Sequence, residues 1–175
     1  MSRITYVEKA QTSQPAQKVY DQMEQAMGMV PNIVKVVGHS SAATQAMGSV
    51  LAQYFSQLSI DVQTREIAYL TVARINGCAY CQGHHEPLAQ QQGLTDQQVA
   101  HLSVQECQNG GFSQAQQAVI CFADETTRHV KASQATFDAL KQHFSEQQIV
   151  DLGFVVAAGN FIQRIGKNFA IDLEF

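Results

Sequence analysis

The residues able to do chemistry are concentrated between Glu66 and His85. Cys78 and Cys81 form a Cys-x-x-Cys pair, His84 and His85 follow it closely, and Glu66 precedes it. Asn76-Gly77, just before the pair, is a helix-ending dipeptide. A new helix beginning near Cys78 would hold both thiols in its first turn, where unpaired N–H groups and the positive end of the helix dipole favour a thiolate. Cys78 and Cys81 are three positions apart and Cys81 and His85 four apart. Both spacings bring side chains together on one helix face. The imidazole is then placed to hold or pass on the proton that Cys81 must lose. Glu66 lies ten residues before Asn76, ~15 Å along a helix. It meets His85 if the next helix folds back along the first, because His85 is about two turns into its own helix.

Two thiols, an imidazole and a carboxylate are the parts of a thiol peroxidase. One thiolate attacks a peroxide oxygen and becomes a sulfenic acid, and the other thiol condenses with it to a disulfide. The carboxylate and imidazole manage the protons, and an external reductant reopens the disulfide by exchange. Other uses of Cys-x-x-Cys fit less well. A structural zinc site needs four ligands, and no second Cys-x-x-Cys or spaced histidine pair follows. A c-type haem attachment needs histidine directly after the second cysteine, where Gln82 stands. The expectation is therefore no metal and no cofactor.

The elements that must position these groups read as helix after helix. Ser13 with Pro15 starts one that Gly28 closes, with Val19, Tyr20, Met23 and Met27 as its core face. Pro31 opens a short segment with Ile33, Val34 and Val37, and Ser40 or Ser41 starts the next helix. Asp61 caps a helix running to about Asn76, with Ile67, Leu70, Thr71 and Arg74 or Ile75 as the expected buried face. The cysteine helix stops at Gly93. Thr95 with Gln98, Ser113 with Gln116 and Ser145 with Gln148 have capping-box spacing, and Ser133 is a simple N-cap candidate. The last helix, about Glu146–Lys167, is apolar on more than one stripe through Val150, Leu152, Phe154, Val155, Val156, Phe161 and Ile162. It belongs in a core or a subunit interface. Its run to Asn160 loosely echoes the run from Glu66 to Asn76. Strand-type alternation is not sustained, so the expected fold is all-α, a single domain over residues 1–175.

Composition narrows the function. Net charge is −4 and only 15% of residues are charged, with glutamines where charges usually sit. The scattered Lys and Arg make no basic stripe, which argues against a nucleic-acid partner. No uninterrupted apolar run of ~18–20 residues and no signal-like N-terminus are seen, so a cytoplasmic protein without membrane contact is expected. In a reducing compartment four cysteines are not a disulfide framework. Cys107 and Cys121 read as ordinary thiols, Cys121 as a core residue. His39, His84, His101, His129 and His143 receive no role, and Tyr80 is expected to pack over the site.

The segment Glu66, Cys78, Cys81, His85, with its flanking Glu-Ile-x-x-Leu-x-Val-Ala-x-x-Asn-x-Cys-x-Tyr-Cys, resembles the AhpD-like alkylhydroperoxidases of the carboxymuconolactone decarboxylase superfamily. The likeness is densest over about residues 58–93. The resemblance implies an all-helical bundle assembled as a trimer or hexamer. It implies that Cys81 attacks the peroxide, Cys78 resolves it, and Glu66 and His85 form the proton relay. Electrons would come from a dithiol partner of lipoyl or thioredoxin type. Some peroxidases of the family carry histidine just before the second cysteine, where this chain has Tyr80. A non-catalytic redox sensor cycling the same disulfide and a decarboxylase-like relative are the competing expectations; the decarboxylases generally lack the cysteine pair.

Overall fold

The computed structural model describes residues 1–56 and 58–174. Nine α-helices are found among them, with one short 3₁₀ turn at Lys9–Gln11 and no strand. They are α1 Gln14–Met27, α2 Asn32–Val37, α3 Ser41–Tyr54, α4 Val62–Ile75, α5 Ala79–Gln91, α6 Asp96–Ala100, α7 Gln114–His129, α8 Gln134–Lys141 and α9 Glu146–Phe169. The punctuation explains where they begin and end. Ser40, Asp61, Thr95, Ser113 and Ser133 cap α3, α4, α6, α7 and α8 by accepting a backbone N–H. Thr95–Gln98 and Ser113–Gln116 form reciprocal capping boxes. Ser145 and Gln148 exchange the same two bonds at the start of α9, at 2.9 and 3.3 Å. Each bond satisfies N–H groups that a helix start leaves without an intrahelical partner.

The backbone separates into two compact units, one formed by the N-terminal part through α3 with the end of the chain from Arg164, the other by Leu58–Gln163. In the first, α1 packs against α3 and α3 against α2. Tyr20 is buried there and its hydroxyl donates to the Val7 carbonyl at 2.8 Å. Burial, with the nearby Glu8 charge, pushes that phenol up to about 12.

The second unit is built around α4, which contacts α5 and α7. Every residue from Thr64 to Ala73 is buried. The expected one-sided face, Ile67, Leu70 and Thr71, is thus only part of a helix enclosed all round, and Arg74 and Ile75 are half-buried rather than core. A helix in that position must dispose of every polar group it carries, and Arg65 and Glu66 are both inside.

Two further sequence expectations are corrected. Met27 lies at the exposed end of α1 rather than in the core. Cys121 is half-buried, and Cys107 is the buried thiol. Val150 and Phe161 point to solvent, 70% and 38% exposed, while Leu152, Val155, Val156 and Ile162 fill the interior. The breadth of the α9 stripe is therefore a buried face plus an unpartnered one. By length and composition α9 would also serve as a membrane span, but half of its apolar window is buried in the fold, as in the core helix of a folded domain.

Candidate active site

The site begins at the junction between α4 and α5. Asn76 is the last αR residue of α4 and Gly77 follows at φ 60°, a left-handed conformation that glycine adopts without the steric cost of a Cβ. The Gly77 N–H then bonds to the Arg74 carbonyl at 3.1 Å and the Cys78 N–H to the Ala73 carbonyl at 2.9 Å. This is a Schellman closure. The amide of Cys78 therefore ends one helix while the residue caps the next: its Sγ accepts from the Cys81 N–H at 3.3 Å, and its carbonyl accepts from Gln82. The first thiol position is consequently fixed to the end of α4.

Cys78 and Cys81 are joined as a disulfide, with Cα atoms 5.3 Å apart, within the range the bond allows. Both cysteines are almost wholly buried. Two turns of helix separate Cys78 from His85, which returns along α4. His85 Nδ1 lies 2.6 Å from Glu66 Oε2, so the expected antiparallel meeting of the two occurs. Glu66 is completely buried and His85 nearly so.

Two residues that sequence reasoning did not single out complete this group. Arg65 donates through Nε to Glu66 Oε1 at 2.9 Å and is itself buried. Tyr69, one turn beyond Glu66 on the same face of α4, stacks its ring on His85 with centroids 4.0 Å apart and planes 28° apart. The spacing of Glu66 and Tyr69 was a readable sign that they share a face. Arg65 carried no such sign, because adjacent helical residues normally diverge.

Burial alone would push the Glu66 carboxyl up. The hydrogen bond and charge of His85, with the charge and hydrogen bond of Arg65, outweigh it and hold the carboxyl below its ordinary value. Glu66 is accordingly the ionised acceptor, and His85 donates its Nδ1–H. That fixes the lone pair of a neutral imidazole on Nε2, at the far side of the ring from Glu66. Burial raises the Tyr69 phenol far above its usual range, so this ring is a neutral wall and not an acid. Tyr80 is buried and packs edge-on against His84, centroids 4.7 Å apart, so His84, to which no role was assigned from its pattern, has a neighbour at the site.

Among the described residues no group of three or more His, Cys, Asp and Glu is arranged to hold a metal ion. Cys107 and Cys121 stand apart from the disulfide as free thiols. What the site contains is two sulfurs able to exchange two electrons, and a buried carboxylate–imidazole pair able to hold a proton.

Comparison with known proteins bears on the family and the fold. Residues 41–124 match the carboxymuconolactone decarboxylase family. The chain is 28% identical over 118 residues to the uncharacterized protein YdfG of Bacillus subtilis, covering 66% of this chain and 79% of that protein. Its fold is similar to that of an alkylhydroperoxidase AhpD core, a peroxidase-related protein from Ralstonia eutropha, with a TM-score of 0.84 at 18% identity over 99% of this chain and 92% of the other. It is similar also to the debrominase Bmp8, with a TM-score of 0.79 at 18% identity over 99% and 93% of the two chains. The Cys78–Cys81 pair itself is what fits a redox role. The match to the carboxymuconolactone decarboxylase family covers just under half of the chain, and the fold as a whole is similar to that of the AhpD core.

Proposed function

We propose that this protein is a thiol-dependent peroxidase, equally describable as a disulfide reductase, that removes organic peroxides in antioxidant defence. The observation that carries the reading is the Cys78–Cys81 disulfide at the start of α5 with the 2.6 Å Glu66–His85 contact two turns along the same helix. In the reduced enzyme the Cys81 thiolate attacks the terminal peroxide oxygen. The O–O bond breaks, the alcohol leaves with a proton, and Cys81 becomes a sulfenic acid. The Cys78 thiol then condenses with it, releasing water and forming the disulfide. A dithiol donor of lipoyl or thioredoxin type reopens the bond and is itself oxidised to a disulfide. His85, oriented by Glu66, holds the proton that Cys81 gives up and returns it to the leaving alkoxide. A cycle through free thiols suits a reducing compartment, which supports a cytoplasmic location.

The exposed apolar residues of α9, Val150 and Phe161, support assembly of the chain into a homo-oligomer, with a trimer or hexamer proposed. Sedimentation at micromolar concentration tests it; a monomer refutes it.

The activity test is consumption of cumene hydroperoxide by reduced protein with dithiothreitol. Sustained turnover is the expected result. A disulfide that forms once, without turnover, would identify a redox sensor instead. The likeness to Bmp8 adds one arm, a brominated pyrrole offered in place of the peroxide. Debromination in that arm, with no peroxide turnover, would replace the peroxidase reading.

A further inference from the structure

A cleft of about 430 Å³ lies among α4, α5 and α7. Its lining carries two guanidinium groups, Arg74 and Arg128, against one carboxylate, Asp124, in a chain whose net charge is −4. Both guanidinium groups have donors to spare. Arg128 holds Asp124 through Nε at 2.9 Å and is half exposed, with no hydrogen bond from its terminal nitrogens among the described residues. Arg74 reaches the Ala100 carbonyl at 3.3 Å and Glu86 at 3.4 Å, both long for hydrogen bonds, and its Nε is buried without a partner. Ile75 and Leu102 supply an apolar wall and Gln82 an amide. A guanidinium fork recognises a carboxylate through two parallel bonds. The lining therefore suits a small molecule with a carboxylate at one end and a short hydrocarbon body.

The cleft sits nearer one sulfur position than the other. Cys78, Gln82 and Glu86 recur every four residues and form one stripe of α5, and Cys81 and His85 form the stripe beside it. Gln82 lines the cleft and Glu86 holds Arg74, so the cleft adjoins the Cys78 stripe, while Glu66 meets the Cys81 stripe at His85. Both sulfur-bearing residues are almost wholly buried, which favours a slender entering molecule. We propose that the cleft seats the reductant, a small dithiol carrying a carboxylate, which enters on the Cys78 side. This rests on the peroxidase reading in that an external dithiol is taken to reopen the disulfide. One donor thiol gives its proton to solvent and attacks Cys78 Sγ as a thiolate. The Cys78–Cys81 bond breaks and its electron pair leaves on Cys81, one turn from His85. The better-stabilised thiolate is the better leaving group, so attack falls on Cys78. The second donor thiol, deprotonated in turn, attacks the donor sulfur of the mixed disulfide and releases Cys78 as a thiolate, which takes up a proton. The donor departs as a cyclic disulfide, having given two electrons to the cysteine pair.

The test is reduction of the oxidised full-length protein by dihydrolipoate and by dihydrolipoamide, the same dithiol with and without a carboxylate. No peroxide is present, and the thiols formed are trapped with iodoacetamide and measured by mass spectrometry. Each rate is divided by that of the same donor with oxidised glutathione. At subsaturating donor, dihydrolipoate should reduce the wild type about fivefold faster, what a half-exposed ion pair at the upper end of its usual strength provides. Arg128→Gln should bring that ratio below about twofold. Arg128 makes only a half-exposed i, i+4 pair, so its loss leaves the fold intact. A wild-type ratio near one, or a fivefold ratio kept in Arg128→Gln, overturns the proposal. With 3-mercaptopropionate, a monothiol carboxylate, fragment-ion mass spectrometry should find the adduct on Cys78 and the alkyl label on Cys81; the reverse pattern also overturns it. The carboxylate preference without peroxide turnover upholds the cleft and removes the peroxidase reading, and turnover without the preference does the opposite.

Discussion

The chain holds two sets of sulfur, and their surroundings are opposite. Cys78 and Cys81 open a helix, share a disulfide, and have an imidazole tied to a carboxylate two turns along. Cys107 and Cys121 are free. Burial pushes both of these thiols up, and for Cys121 the neighbouring Cys107, Glu125 and Asp124 raise it further. The residue type is the same, so the difference lies in what faces the sulfur. N–H groups at a helix start favour a negative sulfur, whereas an apolar wall and carboxylates disfavour it. Reactivity is expected at one set and inertness at the other.

The sharpest way to break this contrast is to remove each sulfur in turn. Cys81→Ser should lower peroxide turnover about 10³-fold or more, as loss of a nucleophile does. Cys121→Ala should leave turnover within about twofold, a change too small to be chemical. Steady-state peroxide consumption with dithiothreitol decides it. Comparable losses in both variants would place the contrast in folding and not in chemistry.

Next in size is the buried charge behind the Cys78–Cys81 pair. Glu66→Gln leaves the Arg65 guanidinium, 8% exposed, without its anion. Breaking a buried pair in this way costs about 3–5 kcal/mol, to be read from urea unfolding at pH 7. The sign with pH follows from the depressed Glu66 carboxyl. Its contribution is complete above the unfolded carboxyl value near ~4.3 and is lost as pH falls through the lower folded value. The gap between wild type and Glu66→Gln should therefore narrow as the pH is lowered past about 4. A gap that stays constant to pH 3 would mean that ionisation of Glu66 contributes nothing to stability.

Much of this arrangement could be read before any coordinates. The helix starts at Asp61, Thr95, Ser113 and Ser133 carried their caps in the sequence, and each is a contact over three residues. The helix break at Asn76-Gly77 and the spacing of Cys78, Cys81 and His85 are equally local. Three things were not legible. The depth of α4 depends on helices distant in sequence, so its complete enclosure and the burial of Arg65 were invisible. The reach of Gln163 to Asn76 spans 87 positions and leaves no periodic trace. The exposure of Val150 and Phe161 was hidden because an apolar residue awaiting a partner looks in sequence like one already buried.

The smallest effect probes the thiols directly. With the disulfide reduced, Cys81 should alkylate at least about tenfold faster than Cys107 or Cys121 at pH 7, the ratio one unit of difference in thiol titration produces. Mass spectrometry of iodoacetamide-labelled peptides gives the ratio in one sample. Denaturing the protein in guanidinium before labelling should erase it, because the helix start, the imidazole and the wall around Cys107 vanish together. A ratio that survived denaturation would belong to the peptide sequence around each cysteine, and the contrast between the two sets would then owe nothing to the fold.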